Sequence, residues 1–290
     1  MHSQFSPHRA ARVDLPGRHG PIAALRSPAA GRDLGATALL VPGYTGSKED
    51  FVPLLDPISD AGIEVVAVDL PGQYESTGPV AEAEYRPSAL GVGLSELVAK
   101  LAAEGRRVLL LGHSFGGLVA RGAVLAGAPV SGLTLLASGP SELPPGARRA
   151  ALDQGEVVLR ERGVEAAQQV NESRQALNPH WRVMSQELKD FYRTRFVRSS
   201  PAGLLGMGEA LRTEPDLVAK LARTLRTTGT PCLVVCGELD DAWSAAAQRD
   251  MAERLDADFA ALPGVVHSPN TEAPDALLGT VLPTWRAWLS

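Results

Sequence analysis

The segment Val108–Leu109–Leu110–Leu111–Gly112–His113–Ser114–Phe115–Gly116–Gly117 carries the residues best suited to chemistry. A continuous apolar run ends in Gly-x-Ser-x-Gly, and small residues at helical spacing follow. That order holds a serine on a sharp strand-to-helix turn, with its hydroxyl lifted clear of the sheet. A free hydroxyl is a weak nucleophile, so the turn does chemistry only if the chain also supplies a base and an acid that orients it. A dinucleotide-binding turn would need Gly-x-Gly-x-x-Gly, and Ser114 breaks that pattern.

The base should be a histidine on a late loop. His2, His8 and His19 sit in a polar N-terminal stretch, and His180 lies in a helical region. His113 adjoins the serine, and its side chain is expected to turn away from Oγ across the elbow. His267 follows the last apolar run on the loop Pro263–Gly264–Val265–Val266–His267–Ser268–Pro269. Loops at the carboxyl ends of parallel strands are where α/β sheets build sites, so His267 is the expected base. The acid should come from the loop after the preceding strand, Cys236–Gly237–Glu238–Leu239–Asp240–Asp241. We assign Asp240, with Asp241 as the alternative and Glu238 behind both. Asp241 then caps the next helix or meets solvent.

An acyl oxyanion needs two backbone N–H donors. Phe115, directly after the serine, opens a helix whose first amides lack partners. The second donor is expected from Val41–Pro42–Gly43–Tyr44–Thr45–Gly46–Ser47, where Gly43 lets the chain turn and Tyr44 N–H enters the site. Ser47 also suits a helix N-cap. Gly43, Tyr44, Phe115 and Trp243 are the expected substrate contacts.

These residues need a scaffold. Apolar runs at 38–41, 65–68, 108–111, 133–136, 233–235 and 259–262 read as strands covered on both faces. Helix-length stretches at 47–61, 88–104, 115–126 and 244–255 separate them, which means an α/β fold with a mainly parallel sheet. The alternation fails between Ser141 and Thr230, where helical patterns run at 147–170, 185–197, 202–211 and 215–225. We therefore divide the chain into a core, 1–140 with 230–290, and an all-helical insertion, 141–229. The insertion's bulky members are Trp181, Met184, Phe191, Tyr192, Phe196, Leu204, Leu205 and Met207, each read first as its core and second as substrate contact. Arg193, Arg195 and Arg198 read as a solvated face. A final helix near 274–289 carries Pro283, where a kink or break is expected.

With these residues in place, the chain resembles the α/β-hydrolase superfamily from about Ile22 to Trp288. Gly112–Ser114–Gly116, Gly237-x-x-Asp240 and His267 match its pattern in order and spacing. The resemblance implies a parallel sheet with helices on both faces and a helical lid after the sixth strand. One departure is Pro42–Gly43, where the superfamily usually has His-Gly; the donor is a backbone amide, so only side-chain support of the loop is lost. Members that open epoxides or dehalogenate use an aspartate nucleophile, and Ser114 argues against both chemistries.

The reading is a serine hydrolase for a small to medium carboxylic ester, requiring no metal or organic cofactor. Lactone, thioester or carbon–carbon bond hydrolysis and cofactor-free perhydrolysis are alternatives on the same residues. A non-catalytic binding protein with vestigial residues is the rival from another class. The 290 residues carry 28 Lys and Arg against 33 Asp and Glu, a net charge of −5, which argues against nucleic-acid binding. No run approaches the roughly 20 apolar residues of a membrane span, and no N-terminal run resembles a signal peptide. The only cysteines, Cys232 and Cys236, share one strand and cannot bridge, so they read as buried free thiols of a reducing compartment. A cytoplasmic monomer or homodimer is expected.

Overall fold

The computed structural model describes residues 4–290. The chain opens with a hairpin, β1 (Ala11–Gly17) and β2 (Gly20–Ser27), then runs β3 (Ala36–Val41), α1 (Val52–Asp60), β4 (Glu64–Val68), α2 (Pro87–Ala103) and β5 (Arg107–His113). It continues through α3 (Phe115–Leu125) and β6 (Val130–Leu136) into α4 (Ala147–Gln175), α5 (Pro179–Val183), α6 (Gln186–Arg198), α7 (Pro201–Thr213) and α8 (Val218–Thr228). Then follow β7 (Cys232–Gly237), α9 (Ala245–Leu255), β8 (Asp258–Leu262), α10 (Pro269–Glu272) and α11 (Pro274–Leu289). The strands form one sheet in the order β1-β2-β4-β3-β5-β6-β7-β8. From β4 to β8 every neighbour is parallel; β1 and β2 join antiparallel at one edge.

The apolar runs are continuous because alternate residues feed two separate cores. Leu39, Val41, Leu110 and Val234 pack with α2, α3, α8 and α9, whereas Ala38, Leu40, Leu109 and Val235 pack with α1 and α11. A fully buried Leu or Val contributes about 1.5–3 kcal/mol, more than helix propensity supplies per residue, so burial is what holds these helices. Cys232 and Cys236 are free and buried in β7, and burial raises their thiols to about 12 and about 11.

Several expectations change. The hairpin was not visible in the sequence pattern: Pro16 and Pro21 argue against strands, yet they sit opposite one another at the hairpin's end, where missing N–H donors do least harm. Pro283 does not end the last helix. It frees the carbonyl of Gly279, and both residues are exposed, so water can take that group. The first insertion helix is broken at Gly163, whose φ of 82° suits glycine.

The stretch after β6 joins the core at a narrow neck. The chain leaves and re-enters the core side by side, with Glu142 N–H donating to Glu214 O and Leu143 N–H to Leu211 O, both at 2.8 Å. Buried Arg121 of α3 clamps this neck, donating to Pro140 O at 2.5 Å and to the Glu214 carboxylate at 2.6 Å. Beyond it, Val218, Leu221, Ala222 and Leu225 of α8 lie in the core with α3 and α9. The apolar face of α8 thus packs on the helices that cover the sheet.

Candidate active site

Ser114 sits between β5 and α3 with φ 53° and ψ −120°, a strained conformation for a residue with a side chain. The flanking glycines make the turn possible. A Cβ on Gly112 would overlap the Gly116 carbonyl, and one on Gly116 would overlap the carbonyls of Val41 and Pro42. Ser114 N–H is anchored to Leu136 O at 2.8 Å, so β6 helps fix the elbow.

His267 Nε2 lies 2.9 Å from Ser114 Oγ, and His267 Nδ1 lies 2.9 Å from Asp240 Oδ1. A carboxylate accepts only, so Nδ1 carries the proton toward Asp240 and leaves Nε2 to accept from the serine hydroxyl. All three residues are buried. Burial would raise the Asp240 carboxyl, but the hydrogen bond and charge of His267 prevail, with Ala242 N–H and Gln248 Nε2 also donating at 2.9 Å, and hold it below its ordinary range. Asp241 is exposed and pairs with Arg148 of α4; Glu238 is exposed and accepts Gly264 N–H. Ligand atoms of Asp240, Asp241 and His267 lie within 4.8 Å of one another, a spacing a metal could use, but Asp240 and His267 already engage each other.

Two supports left no mark in the sequence pattern. Gln248 of α9 holds Asp240, and Glu272 of α10 accepts the N–H groups of Val266, His267 and Ser268 at 2.6, 3.1 and 2.7 Å. His113 lies beside the His267 ring, with Nε2 donating to the His267 carbonyl at 2.9 Å. Burial and the neighbouring imidazole lower it to about 4, so it stays neutral. His8 and His19 lie near the N-terminus and His180 on α5; His2 lies outside the described residues.

Phe115 N–H is at the first position of α3, where an amide has no acceptor within the helix. Gly43 meets the elbow: a Cβ there would stand 3.1 Å from Ser114 Cβ. Tyr44 turns its hydroxyl to Leu204 O at 3.0 Å, and burial raises its phenol further above neutrality. Ser47 opens a 3₁₀ turn, Lys48–Phe51, and its N–H donates to Asp50 at 3.2 Å.

Ser114 and His267 open onto a cavity of about 780 Å³ between the sheet end and the insertion. Gly43 and Tyr44 line it together with Trp181, Tyr192, Phe196 and Leu204. Two expected contacts are corrected. The Phe115 ring is fully buried in the core, because the turn after the serine sends that side chain beneath the elbow. Trp243 is also buried, wedged against Gly139 behind His267, with its indole donating to Glu142 O at 3.1 Å. Arg195 departs from the expected solvated face: it lines the cavity and pairs with Asp50 at 2.5 Å.

The sequence profile described as Alpha/beta hydrolase family matches residues 38–280. The chain belongs to the alpha/beta hydrolase family. The hydrolase is similar in structure to a thermophilic esterase from Thermogutta terrifontis, with a TM-score of 0.71, 21% identity, and coverage of 97% of this chain and 100% of the other. It is similar to the enol-lactonase of Burkholderia xenovorans, with a TM-score of 0.73, 19% identity, and coverage of 94% and 100%. It also resembles MenH from S. aureus, at 0.73, 20%, 92% and 99%. At these identities the likeness shows the fold. A search of curated proteins returned no match for the hydrolase. Among its described residues, no helix is long and apolar enough to cross a membrane.

Proposed function

We propose that this hydrolase cleaves a small to medium carboxylic ester through an acyl-enzyme on Ser114. The observation that carries the reading is the buried relay Ser114–His267–Asp240, joined by two 2.9 Å contacts at the floor of a roomy, partly apolar cavity. In this mechanism Ser114 Oγ attacks the acyl carbon while His267 Nε2 takes its proton. The N–H groups of Tyr44 and Phe115 receive the oxyanion. The imidazolium, stabilised by Asp240, returns the proton to the leaving alcohol. Water then attacks the acyl group, His267 again accepting a proton, and Ser114 is released with the acid.

In the same reading the insertion is a lid whose inner face shapes the acyl pocket, and Gly43 and Tyr44 border the reacting carbon. The partner is a small acyl substrate, and the protein works as a monomer or homodimer in the cytoplasm, where two unpaired cysteines are at home. Lactones are the nearest variant, since a lactone presents the same acyl–oxygen bond; thioesters, carbon–carbon substrates and peroxide complete the panel.

A fluorophosphonate should label Ser114 in folded protein, read by peptide mass spectrometry. A series of p-nitrophenyl esters of rising chain length should be turned over, and Ser114→Ala should lower kcat by on the order of 10⁴–10⁶-fold. Absence of both label and turnover would favour a binding protein with a vestigial relay.

A further inference from the structure

The turn after β4 reads Asp69–Leu70–Pro71–Gly72–Gln73, and Gln73 is 2% exposed. Its amide is oriented from both sides. Leu70 N–H donates to Oε1 at 3.1 Å, so Nε2 is the donor facing Gly43 O at 2.8 Å. The same carbonyl accepts Gly46 N–H at 3.0 Å. Gly43 C=O and Tyr44 N–H belong to one trans peptide, and in a trans peptide the two groups point in opposite directions. Pinning the carbonyl toward Gln73 therefore turns Tyr44 N–H away from Gln73, on a loop that abuts Ser114 and lines the cavity. Met207 Sδ of α7 lies 3.9 Å from Nε2, so the insertion covers the amide and shields its hydrogen bond from water.

We propose that Gln73 is a positioning residue that holds the Gly43–Tyr44 peptide in the orientation presenting Tyr44 N–H to the oxyanion formed on Ser114. The inference rests on the serine-hydrolase reading. A flipped peptide would place a carbonyl oxygen where negative charge develops, and repulsion would replace stabilisation.

Two variants test it. Gln73→Leu removes the donor: kcat on the best ester should fall on the order of 10–100-fold with KM within about two-fold. Affinity for a matching trifluoromethyl ketone should fall by the same factor. That inhibitor forms a bond from its carbonyl carbon to Ser114 Oγ, the serine proton passing to His267 and the carbonyl oxygen becoming the oxyanion. Gln73→Glu keeps the acceptor for Leu70 but donates to Gly43 only when protonated, so the ratio of its kcat to wild type should rise as pH falls from about 8 to about 5. A filler role would instead lower the melting temperature and leave the kcat of the folded fraction and the ketone affinity unchanged. Wild-type kcat in Gln73→Leu, or a ratio in Gln73→Glu that is flat with pH, overturns this inference alone, provided wild type is labelled and active. A wild type that neither reacts with fluorophosphonate nor turns over any acyl substrate overturns both readings together.

Discussion

At Asp240 and Asp241 two adjacent carboxylates have opposite surroundings. One is buried against an imidazole and two donors; the other faces solvent and a surface guanidinium, that of Arg148. We expect Asp240→Asn to lower kcat by about 10⁴-fold, because the amide can no longer fix the imidazole tautomer. Asp241→Asn should change kcat by less than about three-fold, since an exposed pair contributes little. Steady-state kinetics on one ester checks both. His113 yields a pH effect. Its folded pKa of about 4 lies below the ordinary 6.5, so in that window the unfolded chain binds a proton that the folded chain does not. Stability should therefore fall as pH falls through the window. Asp69, raised to about 6 by burial against the pull of Lys48, acts with the opposite sign below that value. Comparing urea midpoints of wild type and His113→Gln between pH 7 and pH 4 isolates the histidine: the variant should lose less stability on acidification.

Among the elements, the loop after β3 is held from beneath by a charge nest. Lys48 Nζ, almost fully buried, lies 2.8 Å from Glu49, 3.1 Å from Asp69 and 3.0 Å from Glu75, and Lys48 N–H donates to Asp69 at 2.7 Å. Removing the cation would leave three clustered carboxylates. Lys48→Met should cost about 3–5 kcal/mol, read from urea denaturation. The nest ties this loop to the turn after β4 through Asp69 and Glu75. None of its partners adjoins it in sequence except Glu49, so its existence could not be read from the loop itself.

Over the whole molecule, order is uneven. The core helices bury apolar faces on the sheet, whereas α6 buries no residue completely and the linkers around α5 are exposed. Local opening should therefore begin in the insertion. Limited trypsin digestion should cut first after Arg174 or Arg182, both exposed, before any site in the sheet layer; mass spectrometry of the first fragments checks it.

The parallel sheet, the elbow at Ser114, His267 and the order of the three relay residues were legible in the sequence because each is a local pattern. Continuous apolar runs mark strands buried on both faces, and Gly-x-Ser-x-Gly marks a turn that only small neighbours permit. The edge hairpin, the packing of α8 on α3 and α9, the burial of Phe115 and Trp243, and the supports Gln73, Gln248 and Glu272 were decided by tertiary structure alone. These depend on contacts between residues tens to hundreds of positions apart, and no local periodicity encodes which distant carbonyl or carboxylate a glutamine or glutamate will meet when the layers close.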